Sequence, residues 1–231
     1  MDLQDKDIIF MILCLFLFSL YISFNFLWEK FFNFISKTFF SHKDIRKSLT
    51  PSELDLFLKL KKIGRSYGNL YVSKNLSYTQ IDVVLLHKSG LWVFEVKDYS
   101  GLILANIDSH KWFKFLSKNR YEFYNPFMQN KAHVDALRSY LKEFPNLKIY
   151  SVVIFYGNCQ VKLSSKLRKD CILTTSGKIN YLFETIRKKD QSVNFKDRLK
   201  IHKLLLKAQM ASFNKKIVKE HLKNVSRLTK S

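Results

Sequence analysis

Three charged residues interrupt two apolar, strand-like stretches of this 231-residue chain. In Gln80-Ile81-Asp82-Val83-Val84-Leu85-Leu86, an acid stands where a buried strand wants a hydrophobe. Phe94-Glu95-Val96-Lys97 repeats the anomaly with an acid and a base. The simplest antiparallel hairpin, turning at His87-Lys88-Ser89-Gly90, sets Leu86 opposite Leu91. Counting outward, Val84 faces Val93 and Asp82 faces Glu95, and side-chain alternation puts Gln80, Asp82, Glu95 and Lys97 on one face. Carboxylates directly opposite repel at about 5 Å Cβ separation, and burying either without a partner is costly. A divalent cation relieves both problems. Mg²⁺ (or Mn²⁺) binds through one or two carboxylates plus water and phosphate oxygens, and Lys97 beside it can orient or activate a water. That is the logic of metal-assisted phosphodiester hydrolysis. The bland alternative is a structural ion cluster pairing these acids with Lys97 or distant arginines.

The elements that must position these residues are legible from caps and periods. Thr50-Pro51-Ser52-Glu53 predicts a helix start with Thr50 as N-cap, Pro51 at N1 and Glu53 closing a capping box; the helix runs to about Lys62 and stops before Gly64. A short strand is expected over 70–73, two strong β-runs over 78–86 and 91–97, and a further strand over 102–107. Asn125-Pro126 opens a second helix that Pro145 ends, with Phe127, Val134, Leu137, Leu141 and Phe144 on its core face. Runs 149–155 and 171–174 read as buried strands. The order predicts an α/β fold, a mixed central sheet flanked by helices. His133, one turn beyond Gln129, is read as a packed or solvent histidine, and alternation turns Asp98 to the other face.

These residues carry a family resemblance. The Gln80–Leu86 run, Gly90, then Phe94-Glu95-Val96-Lys97-Asp98-Tyr99-Ser100-Gly101, Trp112, and Asn125-Pro126-Phe127-Met128-Gln129-Asn130 opening a helix resemble the nuclease-related (NERD) domain of the PD-(D/E)xK nuclease superfamily, over roughly residues 48 to 175. The resemblance implies a restriction-endonuclease-like sheet, Asp82 and Glu95 as metal ligands, and Lys97 as the catalytic lysine. It also implies Glu53 as an accessory helix acid and Gln129 as the glutamine that contacts phosphate or a metal-bound water. Ile81 replaces the superfamily's namesake proline. Pro51-Ser52 replaces a glycine often found before the helix acid, so Glu53 reads equally as a capping residue.

Composition bounds the rest. With 47% hydrophobic residues, 3 Pro and 6 Gly, the chain is neither disordered nor collagen-like, and its three cysteines form no zinc or disulfide pattern. Residues 8–27 run uncharged for about the length that spans a bilayer. The acidic start at Asp2, Asp5 and Asp7 argues an uncleaved anchor rather than a signal peptide. Lys30, Lys37, Lys43, Arg46 and Lys47 follow the span, which puts the N-terminus outside and the C-terminal domain in the cytoplasm. The expected organisation is a transmembrane anchor at 1–30, an interfacial linker at 31–47, the nuclease-like domain at 48–177 and a basic helical region at 178–231. That last region holds about fifteen Lys and Arg against four acids, much of the net charge of +21. Such charge suits nucleic acid through counterion release or anionic lipid at the inner leaflet, and does not choose between them.

The expectation is therefore a membrane-anchored, metal-dependent nuclease acting on nucleic acid, DNA ahead of RNA, at the cytoplasmic face. The alternatives are a non-catalytic module binding nucleic acid or a partner on the same fold, and a structural tether packed on lipid.

Overall fold

The computed structural model describes Tyr21 and residues 42–74 and 77–228. The chain divides into two compact units, Met1–Lys47 and Ser48–Ser231. In the first, helix α1 (His42–Ser48) carries Arg46 and Lys47 in its last turn. The expected membrane span at 8–27, apart from Tyr21, and the linker as far as residue 41 lie outside the described residues. Among the described residues no helix is long and apolar enough to cross a membrane.

The second unit opens with α2 (Pro51–Leu60), and the capping box is formed as expected. Glu53 N donates to Thr50 Oγ1, and Thr50 N donates to Glu53 Oε2 at 2.9 Å, satisfying two of the helix's orphan amides. Leu56, Phe57 and Leu60 bury its inner face. A three-strand meander follows: β1 (Arg65–Lys74), β2 (Ser77–His87) and β3 (Gly90–Asp98). The β2–β3 register is the expected one as far as it runs, Leu86 opposite Leu91 and Val84 opposite Val93, but the expected next pair, Asp82 opposite Glu95, does not form because the strands part there. Gly90 closes the turn at φ 135°, where a side chain would collide with the Lys148 carbonyl oxygen.

Beyond β3 the pairing turns parallel, to β7 (Ile149–Tyr156) and then β9 (Cys171–Thr175). The sheet order β1-β2-β3-β7-β9 is therefore mixed. All eight residues of β7 are buried, as expected of a strand covered on both faces.

A second sheet, absent from the sequence reading, has the order β6-β5-β4-β8. It comprises β4 (Gly101–Ala105), β5 (Lys111–Leu116), β6 (Asn119–Tyr124) and β8 (Cys159–Leu163). Only β4 of these carried a sequence signal. The β5–β6 hairpin is charged and largely exposed, so the period-2 pattern that betrays a half-buried strand is missing.

Between the two halves of the first sheet runs α3 (Pro126–Tyr140). It stops short of Pro145, with Leu141 as C-cap; Leu141 and Phe144 still pack on the core, from the turns that follow. Asn125 caps the helix by accepting from Phe127 N at 2.9 Å, while its own amide donates to Ile107 O and Ser109 O. Asn130, fully buried, donates from Nδ2 to Val93 O, Ser151 Oγ and Val152 O, which bolts α3 across β3 and β7.

The C-terminal region is helical, as its periodicity suggests: α4 (Ile179–Lys188), α5 (Phe195–Met210) and α6 (Lys215–Leu228). Ile201, Leu205 and Ala208 of α5 join the same core as Val84, Val93 and Leu137. The Tyr67 hydroxyl meets His202 Nδ1 at 2.7 Å. Burial, then the charges of Arg65 and Lys203, hold that histidine down at about 4, so it is a neutral partner at physiological pH.

The Asn130 bolt generates a stability prediction. Asn130→Ala leaves two buried carbonyls with lost donors, and a buried unpaired polar group costs about 1–3 kcal/mol. Urea melts of Asn130→Ala should show a loss in that range. A loss under about 0.5 kcal/mol would mean α3 is held by its apolar face alone.

Candidate active site

The β2–β3 ladder runs from His87–Gly90 to Val83–Phe94 and then ends. At the next pair, Asp82 and Glu95, the strands diverge. Strand β2 continues on β1, with Ile81 opposite Leu70 and Gln80 opposite Tyr71. Strand β3 continues on β7, with Glu95 opposite Val153 and Lys97 opposite Phe155. The Val96 amide, which a carbonyl of β2 would otherwise take, donates instead to Asp82 Oδ2 at 3.1 Å. A side chain thus replaces the ladder bond where the sheet forks, and Glu95, Lys97 and Gln129 lie in contact beside the fork.

Glu95 is only 1% exposed, on a strand otherwise built of hydrophobes. Its Oε1 meets Lys97 Nζ at 2.6 Å. Lys97 Nζ also donates to Gln129 Oε1 at 3.0 Å, reaching from the central strand to the first turn of α3. Burial pulls the Lys97 pKa down, but the Glu95 charge, its hydrogen bond and Asp82 outweigh that and leave the ammonium more basic than usual.

For Asp82 the balance runs the other way. Burial first, then the negative charges of Glu95 and Glu53, push its carboxyl up to about 8 against the pull of the Val96 amide and Lys97. The Glu53 carboxylate is engaged on Thr50 N at the start of α2. Ser52 Oγ, donating to Asp98 Oδ2 at 2.5 Å, ties α2 to the end of β3. Asp98 accordingly faces α2 rather than joining the Glu95–Lys97 pair.

Of the five residues singled out in the sequence, the structure brings Asp82, Glu95, Lys97 and Gln129 together at the fork. Glu95, Lys97 and Gln129 are in direct contact, and Asp82 interacts with them through charge. Glu53 sits at the margin with its oxygen already committed. His133, read from the sequence as a packed or solvent histidine, is packed here, against the buried acid. It is buried, its Nε2 lies 3.3 Å from Glu95 Oε2 and its Nδ1 3.2 Å from Thr79 Oγ1. The Glu95–His133 approach is a close contact without hydrogen-bond alignment, and both atoms are otherwise buried and unpartnered. The available signal was its place four residues after Gln129, on the same helical face.

Among the described residues no group of three or more His, Cys, Asp and Glu side chains could hold a metal ion alone. The donor set still fits a hard divalent cation that takes one or two carboxylates and fills its shell with water and phosphate oxygens. Asp82 and Glu95 supply those carboxylates, and Glu95 Oε2 is a buried acceptor without a donor.

The class this arrangement defines is a mixed-sheet α/β domain whose forked central strands present an acid, then an acid and a lysine two residues apart. Residues 50–156 match the family model of the nuclease-related domain, NERD, and that stretch contains every residue gathered at the fork. An uncharacterised protein of Bacillus anthracis is 30% identical over 84 residues, covering 36% of this chain and 39% of that protein. The chain thus spans well under half the length of this curated relative. No solved structure gives a significant match.

The Asp82 shift sets a pH dependence. Its folded value, about 8, lies above the ordinary 3.8, so the native state holds a proton that the unfolded state has released. That contribution to stability is complete below about pH 4 and is lost as pH rises through about 8. Asp82→Asn should remove this slope: its melting temperature relative to the parent should climb steadily from pH 4 to pH 8 in EDTA. A constant difference across that range would mean Asp82 titrates normally.

Proposed function

We propose that the protein is a metal-dependent nuclease that hydrolyses phosphodiester bonds in nucleic acid, with DNA the expected substrate, tethered at a membrane through residues 8–27 with its catalytic unit on the cytoplasmic side. The observation that carries the reading is the fork between β2 and β3. There two acidic side chains, a lysine and a helix glutamine converge in a nuclease-related domain. The tether rests on the sequence of 8–27 and its basic flank.

In this reading Asp82 and Glu95 hold Mg²⁺ or Mn²⁺. When bound, the ion supplies charge neutralisation at the phosphate and a more acidic attacking water. The chain's own groups do the positioning. Glu95 anchors Lys97 by an ion pair, and Gln129 fixes the same ammonium from the side of α3. Lys97 Nζ, kept protonated by these neighbours, can donate to a non-bridging phosphate oxygen or orient the incoming water. Asp82 must give up its proton before it can act as a ligand, so cation binding should release a proton and strengthen with pH. His133 backs Glu95 from behind and limits where its second oxygen can turn.

The test uses the purified full-length protein with linear, circular and single-stranded DNA and with RNA, each in Mg²⁺, Mn²⁺ and EDTA. Cleavage should need the metal and vanish in Asp82→Ala and Glu95→Ala. Lys97→Ala should lose about 10²–10⁴-fold, the range of a positioned proton donor. Retained cleavage in both acid variants sinks the residue assignment. Salt-sensitive binding without any cleavage would favour the non-catalytic module.

A further inference from the structure

A second concave site lies at the opposite end of the same strands. A cavity of about 330 Å³ is lined by Ile63, Arg65, Leu86, His87, Lys88, Phe195, Arg198 and Leu199 with Gly64, within the size range of small-molecule sites. His87 is five residues along β2 from Asp82, about 17 Å at strand rise, so this cavity is separate from the site described above.

Its chemistry is one-sided. Three permanent cations, Arg65, Lys88 and Arg198, line it with His87, and no carboxylate does. Among the described residues none of the three cations is paired with an acid. The Nε of Arg198 is buried without a hydrogen-bond partner, an unusual state for a guanidinium whose fork fits phosphate. Ser89 N donates to His87 Nδ1 at 3.3 Å, which makes Nδ1 the acceptor and leaves Nε2–H as the ring's donor. Burial, then the charges of Lys88, Arg198 and Arg187, lower the His87 pKa from its ordinary value. The remaining wall is apolar: Ile63, Leu86 and Leu199, with the Phe195 ring 65% exposed and 5.8 Å from the Arg198 guanidinium.

The walls are tied together in advance. Ser192 N and Val193 N, leading into α5, both donate to Lys88 O at 3.0 and 3.1 Å, and Ser192 Oγ donates to Ser89 O. The β2–β3 turn and the first turns of α5 are thus held at a fixed spacing. Clustered like charges repel, and a preformed cluster of cations with no acid among them is stabilised by an anion.

We propose that this cavity binds a nucleoside phosphate, with the phosphate held by Arg198, Lys88 and Arg65 and the flat base covered by Phe195. The ligand class follows from the pairing of cations with one exposed aromatic, since every base has a face that stacks on such a ring. Two sources share that chemistry, a free nucleotide and the phosphorylated end of a nucleic acid chain. The site does not depend on the nuclease reading.

Calorimetric titration of the full-length protein in EDTA, with AMP, adenosine, inorganic phosphate and a 5′-phosphorylated oligonucleotide, tests it. AMP should bind more tightly than phosphate or adenosine. Arg198→Gln and Lys88→Gln should each weaken AMP about tenfold or more, as expected for a charge-assisted hydrogen bond, while Asp82→Ala should leave AMP binding unchanged. Competition by the oligonucleotide would identify a chain end as the ligand, and lack of competition a free nucleotide. No saturable AMP binding, or equal affinity in both cation variants with unaltered melting curves, overturns the proposal. Phosphate binding as tightly as AMP overturns the nucleotide assignment.

Discussion

A carboxylate buried in the central strand is the constraint around which this domain is arranged. Glu95 is closed off from solvent on β3, between one antiparallel and one parallel neighbour. Leaving such a charge uncompensated in an apolar sheet costs several kcal/mol per ion, so its surroundings must answer it. Lys97 does so from the same strand, two residues on, where alternation returns it to the same face. His133 approaches from α3. Gln129 then holds Lys97 in place. The His133 and Gln129 contacts require α3 to lie across β3, which is what the Asn130 amide secures through Val93 O and Val152 O.

The fork in the sheet follows from the same region. Two strands joined by a tight turn would ordinarily pair along their whole length. Here pairing ends at Val83–Phe94, because the next positions would set two acids side by side. Asp82 takes the Val96 amide that divergence exposes, so the backbone is satisfied although the ladder is broken. The polar groups gathered at the fork sit on regular strands and one helix rather than on a loop. Rigid elements hold a constellation more closely than loops do.

The C-terminal helices contribute to both ends of the molecule. Helix α5 supplies Ile201, Leu205 and Ala208 to the core under β1, and its first turns bring Phe195 and Arg198 to the β2–β3 turn. The basic character evident in the sequence is therefore not a uniform solvated surface. Part of it is gathered at the end of the sheet remote from the carboxylates, where the hairpin turn, the start of β1 and the start of α5 meet.

The amino-acid order by itself determined whatever rests on neighbours in sequence. The Thr50–Glu53 capping box, the Asn125-Pro126 helix start, the β2–β3 register and the shared face of Asp82, Glu95 and Lys97 all follow from short-range spacing and alternation. The β5–β6 hairpin gave no such signal because it is charged and largely exposed, and the short β8 gave none because it pairs with β4, far away in sequence. His133 looked ordinary for the same reason: a histidine one turn from Gln129 gains a role only when α3 crosses Glu95. Tertiary structure alone decided where the ladder breaks, which helix backs the buried acid, and which basic residues of a lysine-rich chain converge. Those outcomes depend on burial and charge contributed by segments far apart in sequence, and no local period records them.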